Sequence, residues 1–154
     1  MRIRPYAAAD LDTLIALFRN TVRAISRSDY TLEQLIAWAP DEIDRDHWLV
    51  RLGASSTWVA AEGARIAGFI SMEPEGHLDM LYVGPEFQRR GIASALLRSL
   101  AHSARSRGLV RLSTEASISA RPFFDRQGFR IIAPQTVVRR GQELGNFRMA
   151  RAVS

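Results

Sequence analysis

The sequence of 154 residues contains no cysteine. That absence excludes disulfides, zinc–thiolate centres and any relay through a cysteine acyl-enzyme. Histidine is nearly as scarce: His47, His77 and His102 are scattered and form neither an HExxH run nor a short-spaced pair, so no metal site is indicated. Lysine is missing altogether. All 21 basic residues are arginine, against 16 acidic ones, for a net charge of +5. Lysine is normally among the commonest residues, and the abundance of alanine beside arginine points to genome base composition rather than to a function. No run is long and apolar enough to span a bilayer, "GASSTWVAA" being too short and too polar. "MRIRPYAAAD" lacks the apolar stretch of a signal peptide. The expectation is a soluble, cytoplasmic protein with no membrane partner. GxxxxGK, GxGxxG and GxSxG are absent as well, which removes the P-loop, the dinucleotide fingerprint and the serine elbow.

What is present is an ordinary globular composition, 47% hydrophobic and 24% charged. One domain, residues 1–154, is the simplest organisation at this length. A basic balance suits nucleic acid, a membrane surface or a phosphorylated cofactor. The arginines are spread along the chain without an RNP-like or helix-turn-helix signature, which argues against a nucleic-acid partner.

Periodicity gives the elements. "RIRPY" reads as a short strand, and Asp10 offers an N-cap to a helix with Leu11, Leu14, Ile15, Phe18, Val22 and Ile25 at helical spacing. "TLEQLIAWAP" opens with a Thr31-x-x-Gln34 capping box and stops at Pro40. A short helix over 42–52 follows. The period then changes: "STWVAAE", a turn at Gly63, "RIAGFISM" and "HLDMLYV" read as three strands. A helix from about Gly91 to Arg107 stops at Gly108. "VRLSTEA" is a strand, "ARPFFDRQ" a short helix, and "FRIIAPQTVVRR" and "LGNFRMARAV" close the chain as strands around Gly141. The order predicts an α+β or mixed α/β protein with a mostly antiparallel sheet of about seven strands and helices on both faces.

In "EFQRRGIASALLRSL" a glutamine, two arginines and a glycine stand against the start of the helix. The first N–H groups of a helix have no internal partner, and its dipole adds positive charge there. A pyrophosphate can take those donors. Gly91 presents no side chain, Ala93 is small, Arg89 and Arg90 attract anions, and Ser94 offers a hydroxyl.

"LYVGPEFQRRGIA" and the later "SISARPFFDRQGF" together resemble the GCN5-related N-acetyltransferase (GNAT) superfamily, over essentially the whole chain. The resemblance implies that acetyl-CoA lies between the strand ending at Val83 and "VRLSTEA". Its pantetheine arm would pair with the backbone of Leu81, Tyr82 and Val83, and its pyrophosphate would sit on the loop of Gln88, Arg89, Arg90, Gly91, Ile92, Ala93 and Ser94. From the second motif the resemblance adds Ser117, Ser119, Phe123 and Phe124 to the cofactor side. No metal is implied.

Without a cysteine or serine relay, direct attack by an amine in a ternary complex is the simplest mechanism. Family members often place a tyrosine, as acid to the departing thiolate, where this chain has Phe124, which holds no proton to give. A thiol has a pKa of ~8.5, so at pH 7 its thiolate is disfavoured by only about 2 kcal/mol and can leave unassisted or take a proton from water, Tyr82 or Ser119. Asp79, on the strand leading into the first motif, is the first candidate base, with Glu73 and Glu115 behind it. By family analogy the N-terminal helices cover the acceptor side. Their segment Asp29–Asp46 holds six acidic residues against Arg45, an acidic cover suited to a cationic amine, with Tyr30 and Trp38 as walls and Glu115 as a further contact. The expected acceptor is a small-molecule amine or a protein or peptide amino group. A weakly catalytic acyl-CoA-binding regulator is the first alternative and a nucleic-acid-binding module the second. A homodimer through the closing strands is an option by family analogy.

Overall fold

The computed structural model describes residues 1–154. Strand β1 (Arg2–Pro5) leads through a 3-10 turn to α1 (Leu11–Ile25), α2 (Leu32–Trp38) and α3 (Arg45–Gly53). Then come β2 (Ser56–Glu62), β3 (Arg65–Met72), β4 (His77–Val83), α4 (Ile92–Ser106), β5 (Arg111–Ser117), α5 (Arg121–Arg126), β6 (Arg130–Arg139) and β7 (Gln142–Ala152). This is the order read from periodicity. The seven strands form one sheet in the order β1-β2-β3-β4-β5-β7-β6. All neighbours are antiparallel except β4 and β5.

The sheet separates two apolar clusters. On one face, α4 packs Ile92, Leu96, Leu97 and Leu100 with Leu112, Phe124 and Phe129. On the other, α1 and α3 pack Leu11, Leu14, Phe18 and Trp48 against Phe69 and Met80. The Thr31 box holds as expected, Gln34 N donating to Thr31 Oγ1 at 3.2 Å and Thr31 N to Gln34 Oε1 at 2.8 Å. Asp10 corrects the sequence reading. A 3-10 turn precedes α1, and the Asp10 carboxylate takes Arg4 at 2.8 and 2.9 Å and the Ala7 N–H at 2.9 Å instead of capping the helix.

Two irregularities position the site. Ser71 pairs with Met80 but Met72 with Leu78, so Asp79 is the extra residue of a β-bulge. The bulge puts Leu78 and Met80 on opposite faces although they are two residues apart. Beside it, β4 and β5 pair only at His77–Ser113 and Leu78–Thr114, where Thr114 Oγ1 donates to the Leu78 carbonyl at 3.0 Å. Beyond that clasp β4 stays with β3 and β5 with β7. A fork opens whose first unpaired positions are Asp79 and Glu115.

The β6–β7 hairpin outruns β5. The β5–β7 ladder ends at Ser117–Asn146, whereas β6–β7 continues to Arg139–Gln142. The overhang is tied to the helices. The Tyr30 hydroxyl donates to Gly145 O at 2.6 Å, Gln34 Nε2 to Glu143 O at 2.7 Å, and Arg140 Nη1 to Ala37 O at 2.7 Å.

Candidate active site

Two cavities meet at the fork. The larger, about 550 Å³, runs between β4, the start of α4 and α5. The smaller, about 380 Å³, lies between α1–α3, the fork and the β6–β7 overhang. Trp38, Leu78, Asp79, Tyr82, Glu115 and Ser117 line both, so a group bound in one space is exposed to a group bound in the other across these residues.

The start of α4 gives the larger cavity a set of free backbone N–H groups. Arg89 and Gly91 both have positive φ, at 63° and 76°. Left-handed residues in such a turn are a recurring element of anion-binding backbone concavities. Ala95 N is the first to bond back, to Gly91 O at 3.0 Å, which leaves Ile92, Ala93 and Ser94 N–H without a helical acceptor. No acidic residue occupies the first turn. A Cβ added at Gly91 would meet nothing within 4 Å, so the glycine answers to its backbone angle and to the open space above it.

The other expected residues fall as follows. Leu81, Tyr82, Val83, Gln88, Arg89, Gly91, Ile92, Ala93, Ser94, Ser117, Ser119, Phe123 and Phe124 line the larger cavity. Arg90 lies outside that lining, its guanidinium 5.5 Å from the centre of the Phe87 ring. Gln88 turns inward, its Nε2 donating to the Val83 carbonyl at 2.6 Å and fastening the loop to the end of β4. Ser94 Oγ accepts from Gln127 Nε2 at 3.2 Å, Ser117 Oγ from Ala120 N at 3.0 Å, and Ser119 Oγ donates to Asp29 at 2.7 Å. Phe124 is 3% exposed and packs edge-on against Phe123 and Phe129, forming part of the cavity floor. Arg126 also lines this space and was not singled out in the sequence.

At the junction, both Asp79 oxygens accept from Arg51, at 2.6 Å from Nε and 2.7 Å from Nη2. The same bonds push the Arg51 guanidinium further toward its charged form, against the opposing effect of burial. No local pattern announces Arg51, which lies 28 residues before its partner. Glu115 accepts from Gln135 Nε2 at 2.8 Å, stands opposite Arg148 in the β5–β7 ladder and takes part in no ion pair. Burial holds the Tyr82 phenol well above the usual tyrosine range, the Trp38 side chain pulling it partly back. Burial likewise raises Tyr30, whose oxygen accepts from Ile118 N at 2.9 Å while its proton goes to Gly145. Glu73 lines neither cavity, and its proton affinity is raised first by Glu75.

The expected acidic cover does not face the site. Of Asp29, Glu33, Asp41, Glu42, Asp44 and Asp46 only Asp44 lines the smaller cavity, where it caps α3 through His47 N at 3.1 Å. Asp41 pairs with Arg23 and Asp29 with Ser119. Arg139 and Arg140 line this cavity instead, as do His47, His77 and Asn146, the last with a buried Oδ1 that has no partner. No group of three or more histidine, cysteine or acidic side chains is arranged to hold a metal ion.

Comparison with known proteins gives these features a context. Residues 26–150 match the family described as the acetyltransferase (GNAT) domain. An Escherichia coli (strain K12) protein named uncharacterized N-acetyltransferase YafP is 41% identical over 149 residues, 97% of this chain and 94% of its own. A crystal structure from Rhodopseudomonas palustris, described as a GCN5-related N-acetyltransferase (aminotransferase, class-II), superposes with a TM-score of 0.95. It is 31% identical, over 98% of this chain and 94% of that one. The PaiA N-acetyltransferase of Thermoplasma acidophilum, crystallised with coenzyme A, shares the fold at a TM-score of 0.82 and 18% identity, over 98% of both chains.

Proposed function

Because the chain belongs to the GNAT family of acetyltransferases, we propose that it transfers the acetyl group of acetyl-CoA directly to an amine, the cofactor in the larger cavity and the amine in the smaller. The observation that carries this reading is the meeting of the two spaces at the β4–β5 fork, with a helix start whose first N–H groups lack a helical acceptor lining the larger one. The coenzyme A in the Thermoplasma acidophilum structure supports the cofactor assignment.

In this reading the amides of Ile92, Ala93 and Ser94 take the pyrophosphate, with Arg89 and Arg126 adding charge. The open edge of β4 along Leu81–Val83 takes the pantetheine amides as an added strand would. The amine nitrogen attacks the thioester carbon, the C–S bond breaks, and the electron pair leaves on sulfur. A backbone N–H near Leu81 or Tyr82 and the Tyr82 hydroxyl, which burial keeps protonated, are the donors for the carbonyl oxygen as it gains charge. Asp79 receives the proton lost by the amine, through water. A carboxylate offers about four lone-pair sites, so Arg51 leaves it with acceptors free. Phe124 contributes shape and exclusion of water but no proton.

Thermal unfolding tests the premise. At acetyl-CoA concentrations of ~100 times Kd the fold gains about 2.7 kcal/mol. At this chain length that is a rise of several degrees, at roughly 2–4 °C per kcal/mol. Acetyl-CoA and CoA are expected to give it and ATP not. An equal rise with ATP, or none with acetyl-CoA, would remove the cofactor assignment and the enzyme reading with it.

A further inference from the structure

The smaller cavity has an uneven distribution of charge that the acetyl-transfer reading leaves unexplained. Three acidic residues line it. Asp79 is neutralised by Arg51 through two bonds, and Asp44 is held at the positive end of α3. Glu115, at the fork, takes part in no ion pair and caps no helix; its neighbour across the β5–β7 ladder is Arg148, which lies outside the cavity lining. Two arginines are equally unanswered. Arg140 donates to the Ala37 carbonyl and Arg139 to the carbonyl of its own neighbour Val138, at 3.1 Å, and neither takes part in an ion pair.

Their spacing along β6 sets Glu115 apart from the two arginines. Gln135 bonds Glu115 and fixes where along β6 the fork lies. Val137 packs into the cluster beneath α1–α3. By strand alternation Gln135, Val137 and Arg139 share one face, and four residues of strand place Arg139 about 13 Å further on. A side chain of arginine's length reaches back over part of that distance. One end of the cavity therefore suits an ammonium group beside the acetyl donor, and the other suits an anion. A volume of about 380 Å³ is at the small-molecule end of the range of binding sites.

Resting on the acetyltransferase reading above, we propose that the acceptor is a small amine carrying a carboxylate or phosphate group remote from its nitrogen. Glu115 receives the ammonium and Arg139 and Arg140 bind the anionic group. This departs from the expectation from the sequence of an acidic cover suited to a cationic amine. A plain diamine would bring a second positive charge against two unpaired arginines, and a neutral amine would leave them without a partner.

Matched pairs of amines test the proposal by thiol release from acetyl-CoA: glucosamine 6-phosphate against glucosamine, 4-aminobutyrate and 6-aminohexanoate against butylamine, with putrescine as the dication. The anionic member of a pair is expected to have the higher kcat/KM, and which series responds separates phosphate from carboxylate. Arg139→Gln is expected to raise KM for that amine by about ten- to a hundredfold, the size of a lost charge-assisted bond. Arg139→Lys is expected to restore much of the loss. Equal or better turnover of the neutral amine or of putrescine overturns the proposal. If acetyl-CoA binds but none of these amines is acetylated, titration of tryptophan fluorescence decides, since Trp38 and Trp48 line the cavity. Saturable quenching by the anionic amines alone, weakened in Arg139→Gln, sustains the proposal; no difference between the twins overturns it. Failure of acetyl-CoA to bind is the separate result that would remove the enzyme reading itself.

Discussion

The Asp79–Arg51 pair joins the fork to α3 as an anchor, and the proposed mechanism adds the role of proton acceptor to the same carboxylate. Two substitutions separate them. Asp79→Asn and Arg51→Gln break the same pair, so both lower thermal stability, but only the first removes the carboxylate. Asp79→Asn is expected to lower kcat by about 10²-fold, the lower range for a lost general base, with KM for acetyl-CoA little changed. Arg51→Gln keeps most of kcat. Steady-state thiol release measures both, and a kcat for Asp79→Asn equal to that of Arg51→Gln would reduce Asp79 to an anchor. Asp79 could be singled out as a candidate in the sequence from its strand just ahead of the Gly91 loop, and it lines both cavities. Arg51 could not be, because nothing local ties a residue of a short helix to a strand 28 positions later.

Among the elements, α2 has more influence on the site than its seven residues suggest. It carries Trp38 to the junction of the cavities, and its C-terminal carbonyl at Ala37 holds the β6–β7 overhang through Arg140. So short a helix has little stability of its own, and the Thr31–Gln34 box satisfies its first donors. Thr31→Ala is expected to cost about 1 kcal/mol, seen as a fall in Tm of roughly 2–4 °C. An unchanged Tm would mean that packing alone sets this helix. The box was readable because capping chemistry is local, four residues deep. The overhang it supports was not, because strand lengths in the sequence do not say which partner stops first.

For the whole molecule, acid stability has a definite contributor. Hydrogen bonds from Arg4 hold the Asp10 carboxyl below the usual carboxylate range. A folded-state value below the unfolded one stabilises the protein above the ordinary pKa of ~3.9, and the contribution disappears as the pH falls through the lower folded value. Asp10→Asn is therefore expected to lower Tm at neutral pH, the difference shrinking as the pH falls below about 4 and vanishing below the lower folded value. Parallel Tm–pH curves for the two proteins, with no convergence, would show that the pair contributes nothing through titration. The same residue marks a limit of sequence reading. An acidic residue before an apolar helical run suits an N-cap, and the 3-10 turn between β1 and α1 instead aimed it at Arg4, six residues upstream.

The sequence by itself determined the succession of strands and helices, since the apolar period of each is written within its own few residues. It determined the glycine-bearing helix start at residues 88–94, where backbone freedom and small side chains are properties of the residues alone. It also excluded a cysteine relay and a tyrosine acid at position 124, because no fold can supply an atom the chain lacks. Tertiary structure alone decided that β4 and β5 part after two pairs, that β7 inserts between β5 and β6, and that a bulge falls at Asp79. It also turned most of the acidic residues of 29–46 away from the cavity and brought Arg139 and Arg140 into it. The reason is physical: pairing and charge compensation depend on which distant segments the packed core brings within a few ångströms, and local periodicity holds no record of that distance.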